Sequence, residues 1–410
     1  MAVTAPRTER LRALDWLEEM LWLLEQRAPR APALVAELEG ETTVRAWTDA
    51  MHAVQRKYPL LSVRIGKIPG ERPFFTYLSD AEVPFEVVPL APTFSVEDEM
   101  ERAMNTTFGD GSGALFRLTL FHAPSRCVVL LVSHHAAFDG KTNLMILLDL
   151  LAAVAGEALG PSIGLAPTLS ALLGLRDAGP YRTMLMSNVG KPQAVPAERV
   201  RVKRLQLSPE KTNALVRDAR AAGTSVQGAL VAAMMVAGGN HRESWRTQPI
   251  SYGVPIDVRP LLFMPATPGL LVSGYFGEVQ PMPQRSFWDL ARTVSRAVAT
   301  ARTREEVLTL VLRGRQLMEV EYDPTELLAM YRQGGPLGHE LVVTNYGAPQ
   351  KRTAFGPLTL KALSASSPAG NTQKVSAITV DDRMMLTHVS PDPFPSLLEH
   401  ALAVLTDASG

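Results

Sequence analysis

The segment Ser133-His134-His135-Ala136-Ala137-Phe138-Asp139-Gly140-Lys141-Thr142-Asn143 places two histidines, an aspartate and a glycine close together. The six residues before it, 127–132, form an unbroken apolar run rich in β-branched side chains, which is typical of a strand buried on both faces. After it, four leucines recur with the spacing of one helix face: Leu144, Leu147, Leu148 and Leu151. The sequence therefore predicts two histidines held between a buried strand and a helix packed on the core.

The two neighbouring histidines are predicted to have different surroundings, because adjacent side chains on extended backbone point in opposite directions. We expect His134 to be a structural residue inside the protein and His135 to face a cavity. Imidazole has an ordinary pKa of about 6.5, which suits it to accept and return a proton near neutral pH. Asp139 and Gly140 supply turn chemistry, and of the two interpretations of Asp139, turn former or member of an ion pair, we favour the ion pair.

The pattern from His134 to Gly140 matches HHxxxDG, and in it the chain resembles the CoA-dependent acyltransferase superfamily. That superfamily includes nonribosomal peptide condensation domains, BAHD plant acyltransferases and mycobacterial polyketide-associated acyltransferases. Residues 113–118 and 255–260 resemble its "GPLxR" and "PVDLRP" elements, in the same order along the chain. Residues 343–347 are more similar to the "TNxG" turn of bacterial polyketide-associated acyltransferases and alcohol acetyltransferases than to the "DFGWG" element of BAHD enzymes.

This resemblance implies an α/β (α+β) fold of two chloramphenicol-acetyltransferase-like subdomains, each a mixed β-sheet flanked by helices, with an active-site tunnel between them. A stretch rich in Gly, Pro and Ala begins near residue 156 and is interpreted as the crossover between the halves. We therefore predict an N-terminal subdomain at 1–160, a linker at 161–199 and a C-terminal subdomain at 200–410. Within the first subdomain, residues 6–28 are predicted to form a helix.

The resemblance also implies roles for residues outside the histidine segment. Arg259 is expected to form a buried ion pair with Asp139 and so to link the two halves. The turn that contains Thr344 and Asn345 is expected to border the tunnel, where a Thr or Asn side chain can donate a hydrogen bond to an oxyanion. Asn followed by Tyr and Gly is equally the sequence of a simple tight turn, and both interpretations remain open.

Length and charge exclude several classes of protein. A chain of 410 residues exceeds what one hydrophobic core usually covers, so two large units are expected. Lys and Arg number 41, as do Asp and Glu, and this balance argues against a nucleic-acid partner. Cys127 is the only cysteine, which excludes disulfides within the chain and a zinc-knuckle framework. We expect no signal peptide, no transmembrane segment, a cytoplasmic setting and a monomer.

The predicted function is direct acyl transfer, with His135 as general base and no acyl-enzyme. The expected donor is acyl-CoA or an acyl carrier protein bearing acyl-phosphopantetheine, and the acceptor is a hydroxyl or amine on a small or carrier-bound molecule, in polyketide or other natural-product biosynthesis. Two alternatives remain: a free-standing condensation enzyme that forms an amide, and a catalytically silent binding or scaffold protein. No cofactor and no metal are expected, since His134 and His135 point apart, and no P-loop or Gly-x-Ser-x-Gly motif occurs.

Overall fold

A computed structural model describes residues 9–78, 83–182, 199–280, 286–332, 338–349 and 352–408. Most of the second half of the predicted linker, 183–198, and the first residues of the helix predicted at 6–28 lie outside these ranges. The strands, in chain order, are β1 (Arg10–Ala13), β2 (Ala33–Glu39), β3 (Val63–Gly66), β4 (Phe74–Tyr77), β5 (Phe85–Pro89), β6 (Phe116–Ala123), β7 (Arg126–Ser133), β8 (Arg201–Gln206), β9 (Ile250–Asp257), β10 (Val272–Val279), β11 (Leu341–Asn345), β12 (Ala354–Phe355), β13 (Leu358–Ser366), β14 (Gln373–Val380) and β15 (Arg383–Ser390).

The helices flank these strands, and most begin at a side-chain cap of the kind that Ser, Thr and Asp provide. They are α1 (Trp16–Glu25), α2 (Val44–Lys57), α3 (Val96–Met104), α4 (Gly140–Val154), α5 (Leu169–Leu172), α6 (Pro209–Ala221), α7 (Val226–Gly238), α8 (Ser244–Thr247), α9 (Arg259–Leu262), α10 (Phe287–Thr300), α11 (Arg304–Leu317), α12 (Pro324–Arg332) and α13 (Leu397–Asp407), with a 3₁₀ turn at Pro59–Ser62.

The first six-stranded sheet has the order β12-β13-β2-β7-β6-β5. It is mixed: β5 runs parallel to β6, whereas β2, β7 and β6 pair antiparallel. Strand β13 comes from the C-terminal part of the chain, yet it pairs antiparallel with β2 along its length. The predicted boundaries at 160 and 199 divide the chain by position in the sequence. The sheet crosses this division, because the late strands β12 and β13 complete the sheet formed by the early strands.

The second six-stranded sheet has the order β10-β9-β11-β14-β15-β8 and is also mixed. Strand β11 runs parallel to both of its neighbours, β9 and β14, so its C-terminal end emerges at the same edge as theirs. Helix α7 is apolar on nearly every side and lies between this sheet, α10 and α13. Gly228 on α7 permits that approach, because a Cβ there would collide with Ser295 and Ala291 on α10.

Two mixed sheets flanked by helices are the architecture that the sequence predicted. The prediction of one helix over 6–28 is wrong in its described part, because Arg10–Ala13 is a strand that pairs with β4 and the helix begins only after the cap at Asp15. In the described ranges no single helix is long and apolar enough to cross a membrane; α6 and α7 reach that length and composition only as a pair bent by 103°.

Candidate active site

A cavity of about 250 Å³ opens beside the loop that joins β7 to α4 and is lined from both parts of the chain. His135 and Gly140 line it from this loop, and Thr344 and Lys374 line it from the second sheet. A second cavity, of about 920 Å³, adjoins the first and shares four of its lining residues: Trp16, Phe276, Leu310 and His339. Together the two cavities occupy the place expected for a tunnel between the halves.

His135 is held in one orientation by its own loop. Its Nδ1 atom lies 3.1 Å from the carbonyl oxygen of Phe138. Because a carbonyl only accepts hydrogen bonds, Nδ1 carries the proton and the neutral ring keeps its lone pair on Nε2. The ring lines the cavity, so Nε2 is the nitrogen that can accept a proton from a bound molecule.

The surroundings of His135 keep it neutral. Its pKa lies at about 4, below the ordinary 6.5, because burial penalises the imidazolium and the Lys374 ammonium repels it. Asp139 acts in the opposite direction without outweighing these effects. At neutral pH the ring is therefore in the form that accepts a proton.

His134 has the opposite surroundings. Its side chain is fully buried, packs against the ring of Phe108 at 5.8 Å between centroids, and accepts a hydrogen bond from the Ala136 backbone N–H at Nδ1. Burial, followed by the neighbouring His135, lowers its pKa to about 3. The backbone carbonyl of His134 accepts hydrogen bonds from residues 137 and 138. His134 therefore shapes the loop that presents His135, and the two rings cannot share a ligand.

Asp139 caps helix α4 and pairs with Arg259, as the resemblance implied. Its carboxylate accepts from the Thr142 backbone N–H at 2.8 Å and from the Arg259 guanidinium in a two-pronged contact at 2.8 and 3.1 Å. The Leu271 backbone N–H donates to the same carboxylate at 3.0 Å. A single aspartate thus fixes the start of α4 and ties it to the segment between β9 and β10.

Arg259 is buried, with 2% of its surface exposed, and each of its guanidinium nitrogens has a partner. Nε donates to the Thr267 carbonyl at 2.7 Å, and Nη1 pairs with Asp257 at 2.9 Å in addition to Asp139. Burial by itself lowers the pKa of Arg259, but the two carboxylates outweigh it, and the net direction is upward. The two halves of the chain are therefore joined by a fully satisfied buried ion cluster.

Gly140 allows Tyr346 to pack against the start of α4. A Cβ at position 140 would collide with the ring and hydroxyl of Tyr346. The Lys141 ammonium donates to the Tyr346 carbonyl at 3.4 Å, across the same contact. The glycine of the motif is thus needed for close approach between the histidine loop and the turn that follows β11.

Thr344 and Asn345 both line the cavity, at the end of β11. The Asn345 side-chain oxygen accepts from the Gly347 backbone N–H at 2.8 Å, and Gly347 has a positive φ of 69°. That is the tight turn of the simpler interpretation. The Thr344 hydroxyl is buried and has no hydrogen-bond partner within the described part of the chain, which leaves it able to donate to a ligand.

Two buried cations of the cavity were not identified from the sequence. Lys374 precedes a run that reads as a buried strand, and a lysine at the edge of such a run is a signal that could have been used. Arg30 lies between Pro29 and Ala31 in a stretch that reads as a polar connection, and nothing in the sequence marks it. The structure brings both side chains to the same cavity as His135.

Comparisons with known proteins agree with this architecture. Residues 196–355 match the family model described as phthiocerol/phthiodiolone dimycocerosyl transferase C-terminus, which covers less than half of the chain. The polyketide synthase PksN of Bacillus subtilis (strain 168) is 27% identical over 144 residues, which are 31% of this chain and only 2% of that protein.

Three solved structures match over nearly their whole length. Polyketide synthase associated protein 5 from Mycobacterium tuberculosis has a TM-score of 0.69 at 18% identity and covers 98% of this chain and 99% of its own. The first condensation domain of the CDA synthetase has a TM-score of 0.69 at 18% identity, and the match covers 97% of this chain and 96% of that domain. The TRI3 trichothecene 15-O-acetyltransferase from Fusarium sporotrichioides has a TM-score of 0.71 at 12% identity, and the match covers 100% of this chain and 96% of that enzyme. The comparisons confirm the resemblance to the CoA-dependent acyltransferase, condensation-domain-like superfamily, and at these identities the solved structures show the fold.

Proposed function

We propose that this protein transfers an acyl group from a thioester donor to a hydroxyl or amine acceptor, with His135 as the general base. The observation that carries the proposal is the orientation of His135: Nδ1 is fixed on the Phe138 carbonyl while the ring lines a cavity reached from both halves. The similar solved structures include an acetyltransferase and condensation domains. Their chemistry is of the same type.

The proposed reaction needs two proton transfers at one atom. His135 Nε2 accepts the proton of the acceptor as its oxygen or nitrogen attacks the thioester carbonyl. The tetrahedral intermediate then expels the thiolate, which takes the proton back from Nε2, so no acyl-enzyme forms. General acid–base catalysis of this kind contributes about 10²- to 10⁴-fold, and holding both substrates in a closed cavity contributes much of the rest.

The oxyanion of the intermediate requires a hydrogen-bond donor. Thr344 fits this role best, because its hydroxyl is buried, lines the cavity and is unpartnered among the described residues. Asp139 and Arg259 support the site by fixing the start of α4 after the histidine loop. The donor is acyl-CoA or an acyl carrier protein, and no cofactor takes part. The cytoplasmic setting and the monomeric state stay predictions.

The decisive experiment combines a panel of acyl-CoAs with hydroxyl and amine acceptors, and measures thiol release and product mass. We expect thiol release that depends on the acceptor, no acyl adduct on the intact protein, and loss of at least about 10²-fold in turnover for His135→Ala with an unchanged melting temperature. Wild-type turnover by His135→Ala would overturn the mechanism.

The same panel separates the two alternatives. A product formed only with amine acceptors assigns the protein to amide-forming condensation. Binding of the donor without any turnover, in a protein whose melting temperature is normal, assigns it to a silent binding role.

A further inference from the structure

Arg30 is a buried arginine that lines the same cavity as His135. It has 3% of its surface exposed, and none of its three guanidinium nitrogens makes a hydrogen bond in the part of the chain that the structure describes. Its one evident contact is with the ring of Tyr331, 4.7 Å from the guanidinium carbon. The guanidinium group carries a positive charge, and it lies beside the cavity that Arg30 lines without a hydrogen-bonded carboxylate among the described residues.

Lys374 brings a second cation to the same cavity. Its ammonium is buried and donates to the Ser367 hydroxyl at 2.5 Å, which uses one of its three protons. Burial, followed by the charge of Arg30, lowers the pKa of Lys374 to about 8, so the side chain is still largely protonated at pH 7. Both cations line the same cavity, close enough for the charge of Arg30 to contribute to the lowered pKa of Lys374.

The acids of the neighbourhood do not neutralise this pair. Asp139 and Asp257, the two carboxylates that line the cavity, are both bound to Arg259. Glu25 lies within the electrostatic reach of Arg30, and burial raises its pKa, but no hydrogen bond joins Glu25 to the Arg30 guanidinium among the described residues. The cavity therefore holds two buried cations that form no ion pair with a carboxylate among the described residues.

The remainder of the lining defines the shape of a matching ligand. One wall is apolar and comes from α1, with Leu17, Met20, Leu21 and Leu24. Lys374 lies near enough to His135 to lower its pKa, so an anion bound here would lie beside the reacting centre. The phosphate of CoA or of a carrier arm is separated from the thioester by the whole pantetheine chain, and it does not fit this position.

We propose, on the basis of the function proposed above, that Arg30 and Lys374 bind a carboxylate carried by an otherwise apolar substrate, on the acyl group or on the acceptor. Arg30 offers the planar, two-pronged donor geometry that matches a carboxylate. Lys374 adds a point charge on the side of His135. Binding of the anion would also offset the charge of Lys374 and so make His135 a stronger base when the substrate is in place.

Equilibrium binding tests this proposal without any need for turnover. The probes are octanoate and octanamide at pH 7, titrated calorimetrically into the wild-type protein. We expect octanoate to bind about 10- to 100-fold more tightly, the ratio that one or two charge-assisted hydrogen bonds provide. Arg30→Met and Lys374→Met should each reduce this ratio towards one and leave octanamide binding unchanged. Arg45→Met, which removes an exposed arginine, should keep the wild-type ratio.

Melting temperature separates a binding role from a structural one. Removing an unpaired buried charge should leave the melting temperature of ligand-free Arg30→Met equal to that of the wild type or raise it. Octanoate should raise the melting temperature of the wild type but not that of Arg30→Met. A wild-type protein that binds both probes equally, or an Arg30→Met variant that melts lower and keeps the octanoate preference, would overturn the proposal. If Arg30→Met does not fold, the ratio of octanoate to octanamide affinity in Lys374→Met tests the proposal.

Turnover then identifies the substrate that carries the carboxylate. Succinyl-CoA compared with butyryl-CoA tests the acyl group, and 8-hydroxyoctanoate compared with 8-hydroxyoctanamide tests the acceptor. His135→Ala should lose turnover while keeping the octanoate preference. Turnover without any preference for an acid refutes the carboxylate site alone, whereas an octanoate preference without turnover refutes the acyltransferase proposal alone.

Discussion

Arg259 and Arg30 are two arginines on the same cavity, buried to nearly the same degree, with opposite surroundings. Every guanidinium nitrogen of Arg259 donates to a partner, and two carboxylates face it. Arg30 has no hydrogen-bond partner in the described ranges and stacks on Tyr331. Because an unpaired buried charge costs several kcal/mol, the first arrangement serves the folded state, whereas the second is the arrangement expected of a cation that binds an anionic ligand.

Two neighbouring residues at the end of β11 show the same contrast between a satisfied and an unsatisfied polar group. Asn345 uses its side-chain oxygen to close a turn on Gly347, while the Thr344 hydroxyl beside it is buried without a partner within the described residues. Satisfied polar groups around this cavity hold the loops in place. Arg30 and Thr344, whose polar atoms have no partner within the described residues, both line the space where a substrate would lie.

The largest expected effect concerns the satisfied cluster. Asp139→Ala leaves the buried Arg259 charge without its main partner and uncaps α4, so we expect a loss of roughly 3 to 5 kcal/mol in the free energy of unfolding. Activity should fall with it, because the start of α4 fixes the histidine loop. Denaturant unfolding of the variant and of the wild type measures the loss.

The double variant Asp139→Ala with Arg259→Met provides the control. Since the second substitution removes the stranded charge, the double variant should be more stable than Asp139→Ala alone. Strictly additive losses would show that the two residues do not act as a pair. That result would break the contrast with Arg30, for which the loss of charge is expected to cost no stability.

The sequence was informative where local pattern and local chemistry agree. The apolar run before His134, the turn residues Asp139 and Gly140 and the leucine spacing after them predicted β7, the loop and α4 closely. The partner of Asp139 lies 120 residues away and was reached only through the resemblance of 255–260 to a known element. The strand at Arg10–Ala13 was missed because four residues carry too little periodicity to be distinguished from the helix that follows.

The unsatisfied cations could not be predicted by the same reasoning. Arg30 lies just before β2, whose start pairs with the end of β13 from the other end of the chain, and its guanidinium stacks on Tyr331 of α12. Its isolation is a property of the tertiary structure, and no local pattern records that a partner is missing. Lys374 shows the same limit, since its place beside His135 depends on how the two sheets face each other.

An intermediate effect is expected at Thr344. If its hydroxyl donates to the oxyanion, Thr344→Val should reduce kcat by about 10²- to 10³-fold with little change in the KM for the donor. Valine keeps the β-branched shape that the strand requires, so the melting temperature should stay close to that of the wild type. Steady-state kinetics with saturating acceptor measures the change.

Asn345→Ala is the matched variant on the adjacent residue. Because its side chain closes the turn, we expect a lower melting temperature and a kcat close to that of the wild type. A large loss of kcat in Asn345→Ala, with an unchanged kcat in Thr344→Val, would show that Asn345 and not Thr344 donates to the oxyanion.

The smallest effect is a shift in pH dependence at Lys374. His135 must be neutral to accept a proton, and its pKa of about 4 predicts that kcat/KM is kept down to about pH 4 and lost below it. Lys374→Met removes a positive charge that disfavours the imidazolium, so the pKa of His135 should rise and the acid limb should move to higher pH. Burial is the larger cause of the lowered pKa, so the limb should stay below the ordinary value of about 6.5.

The position of the limb, rather than the height of the profile, is the readout, because Lys374→Met is also expected to weaken binding of acidic substrates. An acid limb that does not move would show that the Lys374 charge is already compensated in the free protein, and the contrast between satisfied and unsatisfied cations would then fail at this residue.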